Sequence, residues 1–238
     1  MEEHTTHLVS GGQAGMTRVM LGVLSKDLLI ERRSKAGFNA LIFLAALILV
    51  IISFSLGPSS SRLQSVAGGV LWIAFAFAAV LAFGRAFQSE TENRSFEGML
   101  LTGADPKAIY LGKVLAATVL MLVVEIVVGL AMSLLYGLDL WARAPALFLV
   151  AVLGTIGLTA IGILYGRLTM SLRAREVMLP LLVLPVVVPV ILAAVEASQT
   201  LTVNGSTSGL WLWLELLAVF DTVFLTAGLL TFESLCEE

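Results

Sequence analysis

Two carboxylic acids, Glu125 and Asp221, stand in the middle of otherwise apolar stretches of this chain. Two carboxyl groups that face one cavity can act as general acid and general base. Acids inside a membrane segment also often belong to a transport path or to a polar pair. Alternatively, each could be a protonated acid that hydrogen-bonds a neighbouring helix, or a side chain at a dimer interface. Glu125 and Asp221 are therefore candidates for an intramembrane polar site.

Other residue types with reactive or metal-binding side chains are scarce. Cys236 is the only cysteine, which excludes an internal disulfide and a multi-cysteine metal site. The only histidines, His4 and His7, lie in the polar first segment. Iron in protein cofactors is usually held by His, Met, Cys or Tyr, and methionines in membrane helices are usually packing residues. We therefore predict no metal site and no directly bound cofactor, and we assign no ligand role to the methionines of the apolar stretches, which are Met121, Met132, Met170 and Met178.

Nucleotide chemistry is also absent from the sequence. A P-loop needs G-x-x-x-x-G-K-[ST], and Gly112-Lys113 has neither the upstream glycine nor the following Ser or Thr. If ATP energises this protein, another polypeptide must supply the ATPase site. No connection is long enough to form a catalytic domain, so the sequence predicts a protein that is not itself an enzyme.

Six long apolar stretches must position these residues. Hydrophobic residues make up 58% of the chain and charged residues 13%, far from the balance of soluble globular proteins. Each stretch has close to the roughly 20 residues that a helix needs to cross a bilayer. The sequence therefore predicts an all-α membrane protein with six transmembrane helices, over Phe38–Leu56, Val66–Phe83, Val114–Tyr136, Ala144–Tyr165, Val177–Val195 and Leu210–Leu230.

Positive charge is distributed unequally between the two sides of this arrangement. Of fourteen Lys and Arg residues, all but Arg62 and Arg143 fall on one side once the six helices are threaded through a bilayer. Because basic residues stay cytoplasmic, both termini are expected in the cytosol. The basic residues of that side are Arg18, Lys26, Arg32, Arg33, Lys35, Arg85, Arg94, Lys107, Lys113, Arg167, Arg173 and Arg175.

The segments outside the bilayer complete the domain organisation. Residues 1–15 are polar without an apolar signal-peptide core, and we expect a disordered tail. Residues 16–36 have apolar positions at helical spacing beside basic ones, which favours an amphipathic helix on the membrane surface; packing on a partner subunit is the alternative. Residues 37–230 form the transmembrane domain and residues 231–238 a cytosolic tail. In the fourth span, small residues predict close helix approach: Gly154, Gly157, Gly162 and Gly166.

The longest connection, residues 84–113, is predicted to be cytosolic. Its middle fits a short amphipathic helix that ends at Gly103, and Asp105-Pro106 fits the N-cap and first position of the next helix. Such a helix suits a groove on a soluble partner. The alternative is a helix flat on the lipid, but Glu90, Glu92 and Glu97 would be repelled by anionic headgroups. We therefore expect docking, with a contact surface made of Phe87, Glu90, Phe96, Glu97, Met99 and Leu100.

This connection resembles the transmission interface of six-span exporters of the ATP-binding-cassette class, and the chain as a whole resembles the CcmB family. The resemblance runs from about Ser25 to Leu230, and the chain departs from the family pattern at Asn93-Arg94 and Gly98. The matching segments are Phe87, Glu90, Ser95 to Leu101, Ile109 to Lys113, Leu153 to Thr155, and Leu184 to Pro189.

The resemblance implies a membrane permease subunit of an ABC transporter in cytochrome c biogenesis, which couples ATP hydrolysis to haem export or to release of a haem-loaded chaperone. Its implied partners are a CcmA-like ATPase, CcmC-like and CcmD-like membrane subunits and the haem chaperone CcmE, with two copies of the chain per complex. The implied location is the bacterial cytoplasmic membrane. An exporter permease for another hydrophobic substrate, such as a lipid, polyketide or drug, remains the alternative.

Overall fold

The computed structural model describes residues 3–57, 59–87, 98–99, 101, 103–139, 143–170, 174–202 and 209–237. Within these ranges the long elements are all helices, and they confirm the predicted all-α membrane fold. In chain order they are α1 (Glu3–Arg33), α2 (Lys35–Leu56), α3 (Ser60–Arg85), α4 (Pro106–Tyr136), α5 (Ala144–Thr169), α6 (Arg175–Thr202) and α7 (Leu210–Glu237).

Helices α2 to α7 are each long and apolar enough to cross a membrane, which agrees with the six predicted spans. Most extend a few residues beyond the apolar stretches predicted from the sequence. Helix α4 has 31 residues, a length of about 46 Å against a hydrocarbon core of about 30 Å. Its first two turns precede the apolar stretch that begins at Val114, and they lie at what we call the basic end of the bundle, the end that carries Arg85, Lys107, Lys113 and Arg167.

The start of α4 follows its sequence signals closely. Gly103 has a φ of +74°, which suits glycine at the end of the preceding helical residues. The Asp105 side chain accepts a hydrogen bond from the backbone N–H of Lys107 at 2.8 Å, and Pro106 occupies the first helical position. The predicted N-cap is therefore confirmed. It fixes the direction in which the chain enters the membrane domain.

Helix α1 begins earlier than the sequence predicts. The amphipathic helix was expected over residues 16–36, but α1 already begins at Glu3, within the segment expected to be a disordered tail. A helix adds residues at little cost once its first turns exist, so polar residues can extend it. Its later turns lie against α4, where Val23 is only 4% exposed. The sequence predicted that this helix lies on the membrane or on a partner subunit. The structure shows a third contact, with α4 of the same chain.

Helices α3 and α5 form the centre of the bundle. In the most apolar 18 residues of each helix, 61% of the positions of α3 and 56% of those of α5 are buried, against 17% for α2 and 22% for α7. A Cβ atom at Gly154 would overlap the Trp72 ring, and one at Gly162 would overlap the Phe83 ring. The predicted close approach at the α5 glycines is thus confirmed, because aromatic rings of α3 occupy the space that side chains would need.

Candidate functional site

The predicted partner-contact surface falls largely outside the described residues. Glu90, Phe96, Glu97 and Leu100 belong to the segments that the structure does not describe, so their placement stays a prediction. Gly98, Met99 and Leu101 have helical backbone, in agreement with a short helix in this connection. Leu101 is 89% exposed, whereas Met99 is half-buried against the chain's own residues.

Phe87, another residue of the predicted contact surface, lies inside the molecule. Its side chain is 2% exposed and packs near Gly166 of α5, where an added Cβ would be 3.2 Å from the ring. Phe87 comes one helical turn after Phe83 and continues the same aromatic face along α5. Any part that Phe87 plays in partner contact is therefore indirect: it positions the first residues of the connection.

Tyr110 joins the first turns of α4 to two other helices. The residue is fully buried, and its hydroxyl donates a hydrogen bond to the carbonyl of Ala160 in α5 at 3.0 Å. Its ring lies 5.3 Å from that of Phe232 in α7, and it fills the space that a side chain at Gly228 would need. A fully buried tyrosine with a bonded hydroxyl gives α4 one fixed position against α5 and α7.

Gly112 brings α4 against the amphipathic helix α1. A Cβ at this position would lie 2.7 Å from the carbonyl oxygen of Met20 and 2.8 Å from the Cβ of Val23. Real Cβ atoms do not approach other atoms so closely, so only glycine allows the two helices this separation. The contact places α1 directly against the beginning of a transmembrane helix.

Lys113 ties together three helices at the same level. It is 1% exposed, and its ammonium group donates to Asp27 Oδ2 of α1 at 3.2 Å and to the Ala86 carbonyl after α3 at 3.1 Å. The ammonium also lies 4.5 Å from the centre of the Phe87 ring, in the geometry of a cation–π contact. A buried cation needs such a complete set of partners, because losing any of them leaves its desolvation uncompensated.

The contacts of Lys113 also hold the two ends of the long connection together. Ala86 stands at the beginning of residues 84–113 and Lys113 at their end, and one hydrogen bond joins them. With the contact between Lys113 and Asp27, α1, α4 and the end of α3 meet at this point. We call Tyr110, Gly112, Lys113 and their contacts Asp27 and Phe87 the junction.

The two intramembrane acids lie apart. Glu125 is 7% exposed, and its Oε2 accepts a hydrogen bond from Thr155 Oγ1 of α5 at 3.1 Å. Asp221 is 6% exposed, and its Oδ1 would lie 2.7 Å from a Cβ added at Gly157 of α5. Neither Asp221 oxygen has a hydrogen-bond partner among the described residues.

Thr155 and Gly157 are two residues apart on α5, which is a rotation of about 200° and a rise of about 3 Å. Glu125 and Asp221 thus lie at a similar depth on opposite sides of one helix. The idea of a single polar site that contains both acids is corrected to two separate sites, and an acid–base pair loses the shared cavity that it requires.

No group of three or more His, Cys, Asp or Glu side chains that could hold a metal ion occurs among the residues searched. Met121 and Met132 are buried in the hydrophobic core of the bundle, as expected for packing residues.

The sequence predicts Lys113 as a cytoplasmic charge and as part of a segment that resembles the family, but it does not predict the contacts with Asp27 and Ala86. A lysine between Gly112 and Val114, at the start of an apolar stretch, was the available signal. Its partner Asp27 is 86 residues away in the chain, and spacing arguments do not reach that far.

Comparison with known proteins places the chain among relatives of one kind. A sequence model of the CcmB protein family matches residues 18–234. The chain is 30% identical over 201 residues to heme exporter protein B of Pseudomonas aeruginosa, covering 84% of this chain and 89% of that protein. It is 29% identical over 189 residues to heme exporter protein B of Haemophilus influenzae, covering 78% and 84%. It is 25% identical over 167 residues to that of Escherichia coli K12, covering 68% and 74%.

Proposed function

The chain belongs to the CcmB family and is a membrane permease subunit of a haem export system, and from this premise we propose that the junction transmits the motion of a separate ATPase subunit to the transmembrane helices. The observation that supports this most directly is the Lys113 ammonium, which holds the beginning of the long connection, the amphipathic helix and α4 in one contact. The route from a soluble partner to the membrane then passes through this lysine.

The energy source is another polypeptide, an ATPase of the CcmA kind. The connection presents Leu101 with 89% of its surface exposed, outside the bilayer and beside a half-buried Met99. Exposed apolar side chains on a short helix are the usual anchors of helix-in-groove contacts. In this proposal Phe96 and Leu100 add to the anchor, and Glu90 and Glu97 meet basic groups that fix orientation more than affinity.

Rigidity is what makes the junction suitable for transmission. Tyr110, Gly112 and Lys113 lie within one turn of α4 and contact α5, α7, α1 and the end of α3. Close-packed interiors do not deform continuously, so displacement of one element shifts its neighbours as a unit. ATPase closure would therefore displace the ends of α1, α3, α4, α5 and α7 that meet at the junction as one unit.

Haem handling belongs, in this proposal, to other members of the system. The spans contain no histidine, and the hydroxyls of Tyr110 and Tyr136 are already hydrogen-bonded within the chain. We accordingly infer that this subunit works with CcmC-like and CcmD-like membrane subunits and the chaperone CcmE, as two copies in the bacterial cytoplasmic membrane. It performs no chemistry of its own.

The test separates assembly from transmission. In the full complex, Lys113→Met should leave ATPase co-purification near its normal level and lower c-type cytochrome yield severalfold. The reason is that the docking surface stays intact while the base of the connection is released. Replacing Phe96 and Leu100 together by Ala should instead weaken ATPase co-purification, by about 2–4 kcal/mol if both are anchors.

Both quantities are measured on the same preparation, with the membrane level of the chain as a control for folding. Lys107→Met is the matched control, because the Lys107 ammonium pairs with Glu233 on the surface, where both side chains are well exposed. Normal cytochrome yield in Lys113→Met would contradict the role of the junction. Normal ATPase recovery in the double Ala variant would contradict docking.

A further inference from the structure

A cavity of about 420 Å³ lies between α3, α4, α5 and α6, in the half of the bundle away from the basic end. Its wall is formed by the later turns of α4 and the first turns of α5, and small residues such as Ala67, Gly129 and Ala151 leave the space. A side chain added at Gly129 would meet no atom within 4 Å. Sites for small molecules in proteins typically have volumes of about 300–1,000 Å³.

The cavity opens toward the lipid phase. Ile126, Leu130 and Phe148 contribute to its wall and are 51%, 47% and 55% exposed on the outside of the bundle. A molecule dissolved in the bilayer can therefore enter sideways between α4 and α5. The wall is mainly apolar, which suits a hydrophobic body.

Most polar side chains of the wall donate their hydrogen bonds within the chain. Ser133 donates to the Leu138 carbonyl, Ser198 to the Ala194 carbonyl and Thr202 to the Ser198 carbonyl. The Trp72 indole N–H donates to Ser198 Oγ at 3.0 Å. These groups are therefore committed to the structure of the wall.

Glu125 is different, because its carboxyl has one unused oxygen. Oε2 accepts from Thr155, whereas Oε1 has no hydrogen-bond partner among the described residues, and the side chain lines the cavity. The residue is 7% exposed, so the carboxyl is held at the inner end of a largely apolar space. Oε1 is not one of the fully buried oxygens without a partner among the described residues, so it is open to the cavity and available to accept a hydrogen bond from a ligand.

From this geometry we infer that the cavity binds an amphiphile from the bilayer whose amine or hydroxyl group donates to Glu125 while its apolar body lies along α4 toward Ser133. That distance is about 12 Å, eight residues of helix rise. The carboxyl selects donors, with a charged ammonium preferred over a neutral hydroxyl, and it disfavours carboxylate or phosphate at the same position.

An α-helix with its side chains is about 10–12 Å across, whereas a single alkyl chain or a flat ring system is narrower, which favours a small amphiphile as the occupant. The inferred site goes beyond the transmission role, since the junction lies at the other end of the bundle and shares no residue with it.

The experiment uses the full chain assembled in native membranes and a hexadecylamine probe that carries a photoreactive diazirine. After irradiation, the labelled residues are mapped by mass spectrometry. Labelling should concentrate on residues 122–133 and 144–151. Free hexadecylamine should compete best, hexadecanol less well, and hexadecanoate least.

Two variants test the site independently. Glu125→Gln should reduce specific labelling about tenfold, the loss expected when a charge-assisted hydrogen bond becomes a neutral one. Gly129→Leu should abolish it by filling the cavity. The matched control is Gly69→Leu, which adds the same side chain to α3 where a Cβ meets nothing within 4 Å and which does not line the cavity.

Three results would overturn the inference. Equal labelling in Gly129→Leu and Gly69→Leu would mean that the probe reports only bulk lipid. Equal competition by hexadecanoate would mean that the Glu125 carboxyl selects nothing. Absence of probe labelling, with a photoreactive residue at Phe148 cross-linking instead to a neighbouring subunit, would identify the wall as a subunit contact.

Discussion

Individual glycines near the two ends of the bundle serve opposite purposes. At the basic end, Gly112 and Gly228 are in direct contact with neighbours, so that helices or rings occupy all the space a side chain would need. In the other half, Gly129 faces open space and helps to form a cavity. Helices that transmit displacement must be packed without gaps, whereas a binding site needs a gap that the fold tolerates. Glycine therefore allows tight helix packing in one region and leaves free volume for a ligand in the other.

The roles given to the two ends of the bundle require that the basic end faces the cytosol. The test of this topology has the largest expected effect. In a Cys236→Ser background, cysteines at Ser60 and Asp139 should react fully with an impermeant maleimide added outside intact cells. Cysteines at Ser89 and Ser171 should not react, because the basic residues retain their loops inside. Labelling at Ser89 in intact cells would reverse the topology and remove the junction from reach of a cytosolic ATPase.

One matched pair of substitutions tests the difference between a glycine packed against a side chain and a glycine that faces free space. Gly162→Ala places a methyl group into the Phe83 ring and should destabilise the protein by about 1–3 kcal/mol, the usual range for overpacking. Gly129→Ala should be neutral or slightly stabilising, because alanine is the better helix former. Thermal unfolding of the purified chain in detergent measures both. Equal effects at the two positions would show that glycine contacts do not distinguish the regions.

The smallest expected effect concerns the boundary between the two regions. Trp72 packs on Gly154 and also donates to Ser198 in the cavity wall. Ser198→Ala leaves the Trp72 ring on Gly154 and removes the acceptor, so a loss of about 1 kcal/mol is expected, the usual net value of a hydrogen bond. Trp72→Phe should cost more, because it also removes ring atoms that pack on Gly154. The double variant loses the hydrogen bond only once, so its loss should be smaller than the sum of the two single losses. Fully additive losses would indicate that the two side chains do not depend on one another.

Local and periodic features were the ones that sequence could predict. The apolar stretches predicted the six spans, because hydrophobic length is itself the physical requirement for crossing a bilayer. Asp105-Pro106 and Gly103 predicted the start of α4, because capping depends on residues within one turn. The α5 glycines predicted close packing, although not that Trp72 and Phe83 would fill the space.

Features that depend on the relative rotation of distant helices could not be predicted. The contact between Lys113 and Asp27 joins residues 86 positions apart, and nothing near either one specifies the other. Glu125 and Asp221 both read as mid-membrane acids, but their placement on opposite sides of α5 depends on packing angles that sequence spacing leaves open. Phe87 reads as a loop residue, and its burial follows from α3 continuing its aromatic face beyond the predicted span.

The hydrogen bond between Lys113 and Ala86 also has a consequence for the chain between them. Its two ends are held by the membrane domain, and for a flexible loop with fixed ends a doubling of the length costs only about 0.6 kcal/mol more. A tag inserted between residues 90 and 94 leaves the buried Phe87 and the half-buried Met99 unchanged, so it should cost the bundle little stability.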